Sequence, residues 1–198
     1  MGRRGCDNAV ALRLRNTLAT VAIAAAGVGL GAQQAAATSI APGSPLALAR
    51  LGGQFQLAGA VTVAKFVPGE YVGQPVARTW TFVPGCPTGA CDTVGLARTR
   101  ATGTDLLVLY RLSPGYYVGT GRFFAPLECG GRTYPQGSAV PFTITVRVTA
   151  ARVIGGVLSA SRVNATYVNR SRRNLTLCVA ALGHDAASYH GHIIVPPT

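Results

Sequence analysis

Acidic residues are scarce in this sequence. Its 198 residues include six Asp and Glu against 18 Lys and Arg, which gives a formal net charge of +12. A glycoside hydrolase of the usual kind needs two carboxyl groups that face one cleft. The acids here are each isolated along the chain, so no local pattern indicates that chemistry.

Sequence motifs for other catalytic chemistry are also missing. The chain has no G-x-S-x-G elbow for a serine nucleophile. It also has no glycine-rich phosphate loop of the Walker or dinucleotide-binding type. We therefore expect a protein that binds a partner rather than one that catalyses a reaction.

Long apolar runs are absent except near the N-terminus. Thr17–Gly31 is an uncharged stretch of about 15 residues, fewer than the ~20 that a membrane-spanning helix needs. Four arginines precede it and Ala35–Ala37 follows it, which is the pattern of a secretory signal peptide. We predict a cleavable signal over residues 1–37, with an uncleaved anchor as the alternative, and hence a secreted or cell-envelope location.

The remaining chain is long enough for one domain. We expect a flexible tether over 38–51 and a single β domain over 52–198. Fourteen basic and five acidic side chains remain after the signal, a net charge of +9, and such a surface favours anionic partners. Export argues against nucleic acid, and arginines spread along the strands are first interpreted as solvated strand faces. The alternative is that the cluster Arg170, Arg172 and Arg173 binds an acidic envelope polymer or phospholipid.

Cysteines are few, and their number becomes even once the signal is removed. Cys6 lies in the signal, and the other four are Cys86, Cys91, Cys129 and Cys178. An even set in an exported chain indicates disulfides. We expect Cys86 to pair with Cys91 across a tight loop and Cys129 with Cys178; the two other pairings stay open, and a four-cysteine zinc site lacks the usual spacing.

No segment after the signal shows a helical repeat of apolar residues, whereas strand patterns are frequent. Phe142–Ala150 alternates apolar with polar side chains, the glycine pair 155–156 makes a hairpin turn, and Val157–Tyr167 returns. Leu106–Leu112 is apolar on both faces, which predicts a central, covered strand. Further predicted strands are Phe55–Phe66, Val76–Val83, Thr93–Arg100, Tyr116–Pro126 and Leu175–Ala181.

These segments predict an all-β fold, a single antiparallel meander of about eight strands with two disulfides. A small closed or partly open β-barrel is preferred because closure removes sheet edges. An immunoglobulin-like β-sandwich is the alternative, although Trp80 precedes the first cysteine of the β domain instead of lying between two. The aromatic residues can either fill the interior or line a cavity for a small apolar ligand.

All three histidines, His184, His190 and His192, lie near the C-terminus. In a strand His190 and His192 point to the same side, which suits zinc or copper. A metal-binding protein or metal-dependent enzyme is therefore the alternative function, and an exposed polar tail with incidental metal affinity is the simpler interpretation. We predict no other cofactor.

Overall fold

The computed structural model describes residues 40–100, 103–179 and 182–197. The predicted signal, 1–37, lies outside the described residues, as does the start of the predicted tether. One helix and nine strands occur in the described ranges. They are α1 Pro45–Leu48, β1 Gly53–Lys65, β2 Pro75–Pro84, β3 Thr93–Arg100, β4 Gly103–Ser113, β5 Tyr116–Cys129, β6 Arg132–Ile154, β7 Val157–Asn169, β8 Arg173–Asn174 and β9 His184–Val195.

The strands form one antiparallel sheet whose pairing closes into a ring. Strands β1 to β6 pair in chain order, β6 pairs with β7, β7 with β9, and β9 with β1. The two-residue β8 pairs with β6 beyond the end of β7. The all-β, antiparallel prediction is confirmed, and the two separate sheets of a sandwich do not occur among the described strands.

Alternation along the strands places one set of side chains inside the ring. Ile144, Val146 and Val148 of β6 are buried, as the sequence pattern predicts, and so are Trp80 and Phe82 of β2. The turn that joins β6 to β7 has both glycines at positive φ, 56° and 82°, a backbone that side-chain-bearing residues rarely adopt. The interior is a packed core in which the Trp80 and Phe82 rings lie 6.3 Å apart, centroid to centroid.

One end of the ring, where β1 begins and β2 ends, is covered by the chain that precedes β1. Ser44 caps the single turn of α1, and Ala47, Ala49 and Leu51 are buried against the core. Arg50 donates a hydrogen bond to the carbonyl of Cys86 at 2.9 Å. In the second half of the segment predicted as a tether, 38–51, alternate apolar side chains are thus buried.

Both predicted disulfides are present, Cys86–Cys91 and Cys129–Cys178, with Cα–Cα distances of 5.4 and 6.2 Å. The first closes the loop between β2 and β3. The second joins the end of β5 to the segment after β8, forty-nine residues away in the chain.

Two strand predictions are wrong in detail. Leu106, Tyr110 and Leu112 of β4 point outward and are exposed, so this strand is apolar on both faces without being covered on both. Residues 175–179 of the predicted strand Leu175–Ala181 are not a strand but a bend after β8. The single helix described, α1, is one turn long, and none in the described ranges has the length and hydropathy of a transmembrane span.

Candidate functional site

The end of the ring opposite α1 contains charged groups among aromatic rings. The guanidinium of Arg98 points inward and lies 4.3 Å from the Phe142 ring centroid and 4.7 Å from that of Tyr167. Asp105 accepts hydrogen bonds from Arg98 at 2.8 and 3.1 Å and from Arg100 at 2.8 Å. Rings and carboxylate together satisfy a cation that is almost fully buried.

A second buried ion pair lies at the same end. Arg172 donates to Asp185 at 2.9 Å, and both side chains are mostly buried. Burial raises the pKa of the neighbouring Tyr167, and the charge of Asp185 raises it further. Partial burial and then Asp185 likewise raise the pKa of Glu70, in the loop between β1 and β2. The Arg172–Asp185 pair joins the segment after β7 to the start of β9 at this end of the ring.

The pairing of the chain with β6 is interrupted next to this ion pair. Asn169 ends β7, and its side chain donates hydrogen bonds to the carbonyls of Pro141 at 2.6 Å and Ser171 at 2.9 Å. Pairing with β6 resumes at Arg173, opposite Ala139. The unpaired residues 170–172 therefore bulge from the sheet, and Asn169 fixes the bulge to β6.

The bulge forms one wall of a groove on the outer surface of the ring, with a volume of about 580 Å³. Its floor is a row of outward residues from three adjacent strands, in which Thr120 of β5 lies opposite Thr143 of β6 and Thr143 opposite Val168 of β7. Three cations and three hydroxyl groups line it, and none of its lining residues is acidic. These polar lining residues are Arg122, Arg170, Arg173, Thr120, Thr143 and Ser171.

The structure divides the predicted arginine cluster. Arg170 and Arg173 line the groove, whereas Arg172 turns the other way and pairs with Asp185. Sequence reasoning missed Arg122, which comes from β5, about fifty residues earlier. Only the pairing of β5 with β6 places it here, opposite Pro141.

The predicted metal ligands all lie on β9, on its outward side. His190 and His192 are exposed two residues apart, and His190 Nδ1 lies 2.8 Å from Asn164 Oδ1. His184 is six residues from His190, about 20 Å along a continuous strand, so the structure does not bring the three together. No cluster of three or more His, Cys, Asp or Glu side chains in the described ranges is arranged to hold a metal ion.

The inward aromatic residues pack on one another in the described part of the ring. Trp80, Phe55, Phe82 and Tyr117 are each at most 1% exposed, and burial raises the pKa of Tyr117. Because side chains occupy this volume, the outer groove is the better candidate site.

Comparison with known proteins returns nothing: no family model, no curated protein and no solved structure matches this chain.

Proposed function

We propose that this chain is an exported binding protein that holds a phosphate- or carboxylate-bearing group in the groove between the bulge and β5. The observation that supports it most is the groove's lining, three guanidinium groups and three hydroxyls with no acid. In the described part of the chain no carboxylate pairs with Arg170 or Arg173.

Guanidinium groups suit this ligand for two reasons. Each presents a planar fork of N–H donors that matches the two oxygens of a carboxylate or phosphate, and each stays charged at any physiological pH. The threonine and serine hydroxyls supply further donors to the same anion. A dense anionic polymer or headgroup of the cell envelope is the class of partner that such a groove would select.

Export is part of the proposal and has its own support. The N-terminal signal pattern predicts it, and two disulfides in a chain of this size are typical of an oxidising compartment. Mass spectrometry of the protein recovered from outside the cytoplasm should find an N-terminus at or near Thr38. A product that stays inside the cell with residues 1–37 attached would contradict the proposed location.

Binding of soluble polyanions tests the groove. We expect the double variant Arg170→Gln/Arg173→Gln to bind polyphosphate or poly-glutamate at least tenfold more weakly in isothermal titration calorimetry. The matched control is Arg152→Gln/Arg162→Gln, which removes the same net charge from exposed sites outside the groove. Equal losses in the two variants would show that total charge, not the groove, attracts the polymer.

A second candidate function, metal binding, is favoured by one contact. Asn164 Oδ1 is an acceptor, so His190 Nδ1 donates to it and Nε2 keeps the free lone pair. Such a fixed tautomer is common for metal-binding histidines, and His192 is on the same side. If the pair binds Cu²⁺ or Zn²⁺, His190→Ala/His192→Ala abolishes stoichiometric binding in equilibrium dialysis and His184→Ala does not.

A further inference from the structure

The bend after β8 exposes aliphatic side chains that would normally be buried. Leu177 and Val179 are 106% and 101% exposed, and Leu175 is 55% exposed. Complete exposure of neighbouring large aliphatic residues is unfavourable in water by about 25 cal/mol for each Å² of apolar area. Such exposed side chains are suited to contact with another apolar phase.

Exposure alternates residue by residue through the whole segment 171–179. The outward set begins with two residues that line the groove, Ser171 and Arg173, and continues with Leu175, Leu177 and Val179. One side of the segment is thus basic at one end and aliphatic at the other. Arg173 and Leu175 are two residues apart, about 7 Å in an extended chain.

The inward set holds the segment in place. Asn174 Oδ1 accepts from the backbone N–H of Thr176 at 2.8 Å, Thr176 Oγ1 accepts from the backbone N–H of Cys178 at 3.2 Å, and Cys178 is bonded to Cys129. Leu177 and Val179 flank the bridged cysteine on both sides. Because these contacts fix the backbone, little conformational entropy is lost when the aliphatic side chains dock.

We propose that this segment docks the protein on an anionic lipid surface. Leu177 and Val179 enter the boundary between headgroups and acyl chains, while Arg170 and Arg173 bind lipid phosphates in the groove. Peripheral proteins combine shallow apolar insertion with basic residues in this way. The inference rests on the proposed function, since it identifies the anion in the groove as a phospholipid headgroup.

Size and charge favour a lipid surface over a protein partner. A stable protein interface buries about 800 Å² on each partner, more than three aliphatic side chains supply. A second copy would also bring together two groups of arginines that repel each other. A membrane accepts a small apolar tip and provides negative charge around it.

Sedimentation with vesicles tests the proposal, with all variants carrying the same N-terminus. We expect binding to vesicles of mixed phosphatidylcholine and phosphatidylglycerol, and at least tenfold weaker binding to pure phosphatidylcholine. Leu177→Asn should weaken binding to the anionic vesicles about tenfold, and Arg173→Gln about fivefold at low salt. The controls are Leu106→Asn, an equally apolar exposed position on β4, and Arg152→Gln; both should bind as the parent does.

Three results would overturn the inference: no binding to anionic vesicles, equal binding to neutral ones, or loss on Leu106→Asn rather than on Leu177→Asn. The two experiments distinguish a failure of the lipid-docking proposal from a failure of the proposal that the groove binds anions. If polyphosphate binds in a manner that depends on Arg170 and Arg173 while vesicles do not bind, the groove stands and lipid docking is refuted. If the protein binds vesicles through Leu177 but does not bind polyphosphate, the anion-binding function is refuted. Docking is then apolar only, and the role given to the arginines is contradicted.

Discussion

Replacement of Asp105 by asparagine should destabilise the protein more than any other exchange of one acid for its amide. The carboxylate accepts three hydrogen bonds from two arginines. The side chains of Asp105 and Arg98 are 9% and 6% exposed, so neither can turn to solvent without opening the end of the ring. Asparagine keeps the volume and removes the charge.

The expected loss of folding stability comes from the arginine charge that stays buried without its carboxylate. Removal of one partner from a buried ion pair costs about 3–5 kcal/mol because the other charge is left uncompensated. The Phe142 and Tyr167 rings offset a part of this through their contacts with Arg98. We therefore expect the lower half of that range, about 3 kcal/mol.

Urea unfolding at neutral pH, with the disulfides intact, measures this loss. With a slope of about 2 kcal/mol per molar urea, the midpoint should fall by about 1.5 M. Asp92→Asn is the matched control, because Asp92 pairs with Arg111 but is 86% exposed, and exposed pairs contribute about 1 kcal/mol or less. Equal losses for the two variants would refute the account of a buried, carboxylate-dependent Arg98.

The remaining predictions concern the two disulfides, Glu70 and Gly121. Cys129→Ser/Cys178→Ser should lower the free energy of unfolding by about 4 kcal/mol, and loss of the short bridge by about 2, by chain entropy; calorimetry that shows the reverse order would contradict this. Since the pKa of Glu70 is raised in the folded state, the stability of the protein falls as pH rises through that pKa. Glu70→Gln should therefore raise the free energy of unfolding at pH 7 but not at pH 3. The same difference between variant and parent at both pH values would refute this. Gly121→Ala places a methyl group against the Phe142 ring, so a loss of about 1–3 kcal/mol is expected, and an unchanged melting temperature would show that the ring moves aside freely.

The fold was predictable because it depends on local patterns. Alternation in β6 and the paired glycines before β7 specify which residues face inward and where the chain reverses. The disulfide Cys86–Cys91 follows from its short spacing. The exposed face of β4 was not predictable from periodicity, because an apolar outward side chain has the same pattern whether or not something covers it.

The groove was predictable only in part. Arg170 and Arg173 belong to a basic cluster that is visible in the sequence. Arg172 belongs to the same cluster, but it pairs with the buried Asp185, and this pairing is visible only in the folded structure. Arg122 joins the site through strand register, which a single sequence does not reveal at that separation. The exposed aliphatic residues were equally hard to predict. Leu177 fits the pattern of a core strand residue, and only the structure shows that the chain leaves the sheet after Asn174.

The central claim is that the groove binds an anion. Its most direct test is a titration with inorganic phosphate followed through the side-chain Nε–H signals of ¹⁵N-labelled arginines. The account predicts saturable shifts for Arg122, Arg170 and Arg173 with one common dissociation constant, and none for Arg152 and Arg162. Equal, unsaturable shifts across all five arginines, or no shift at the three in the groove, would contradict it.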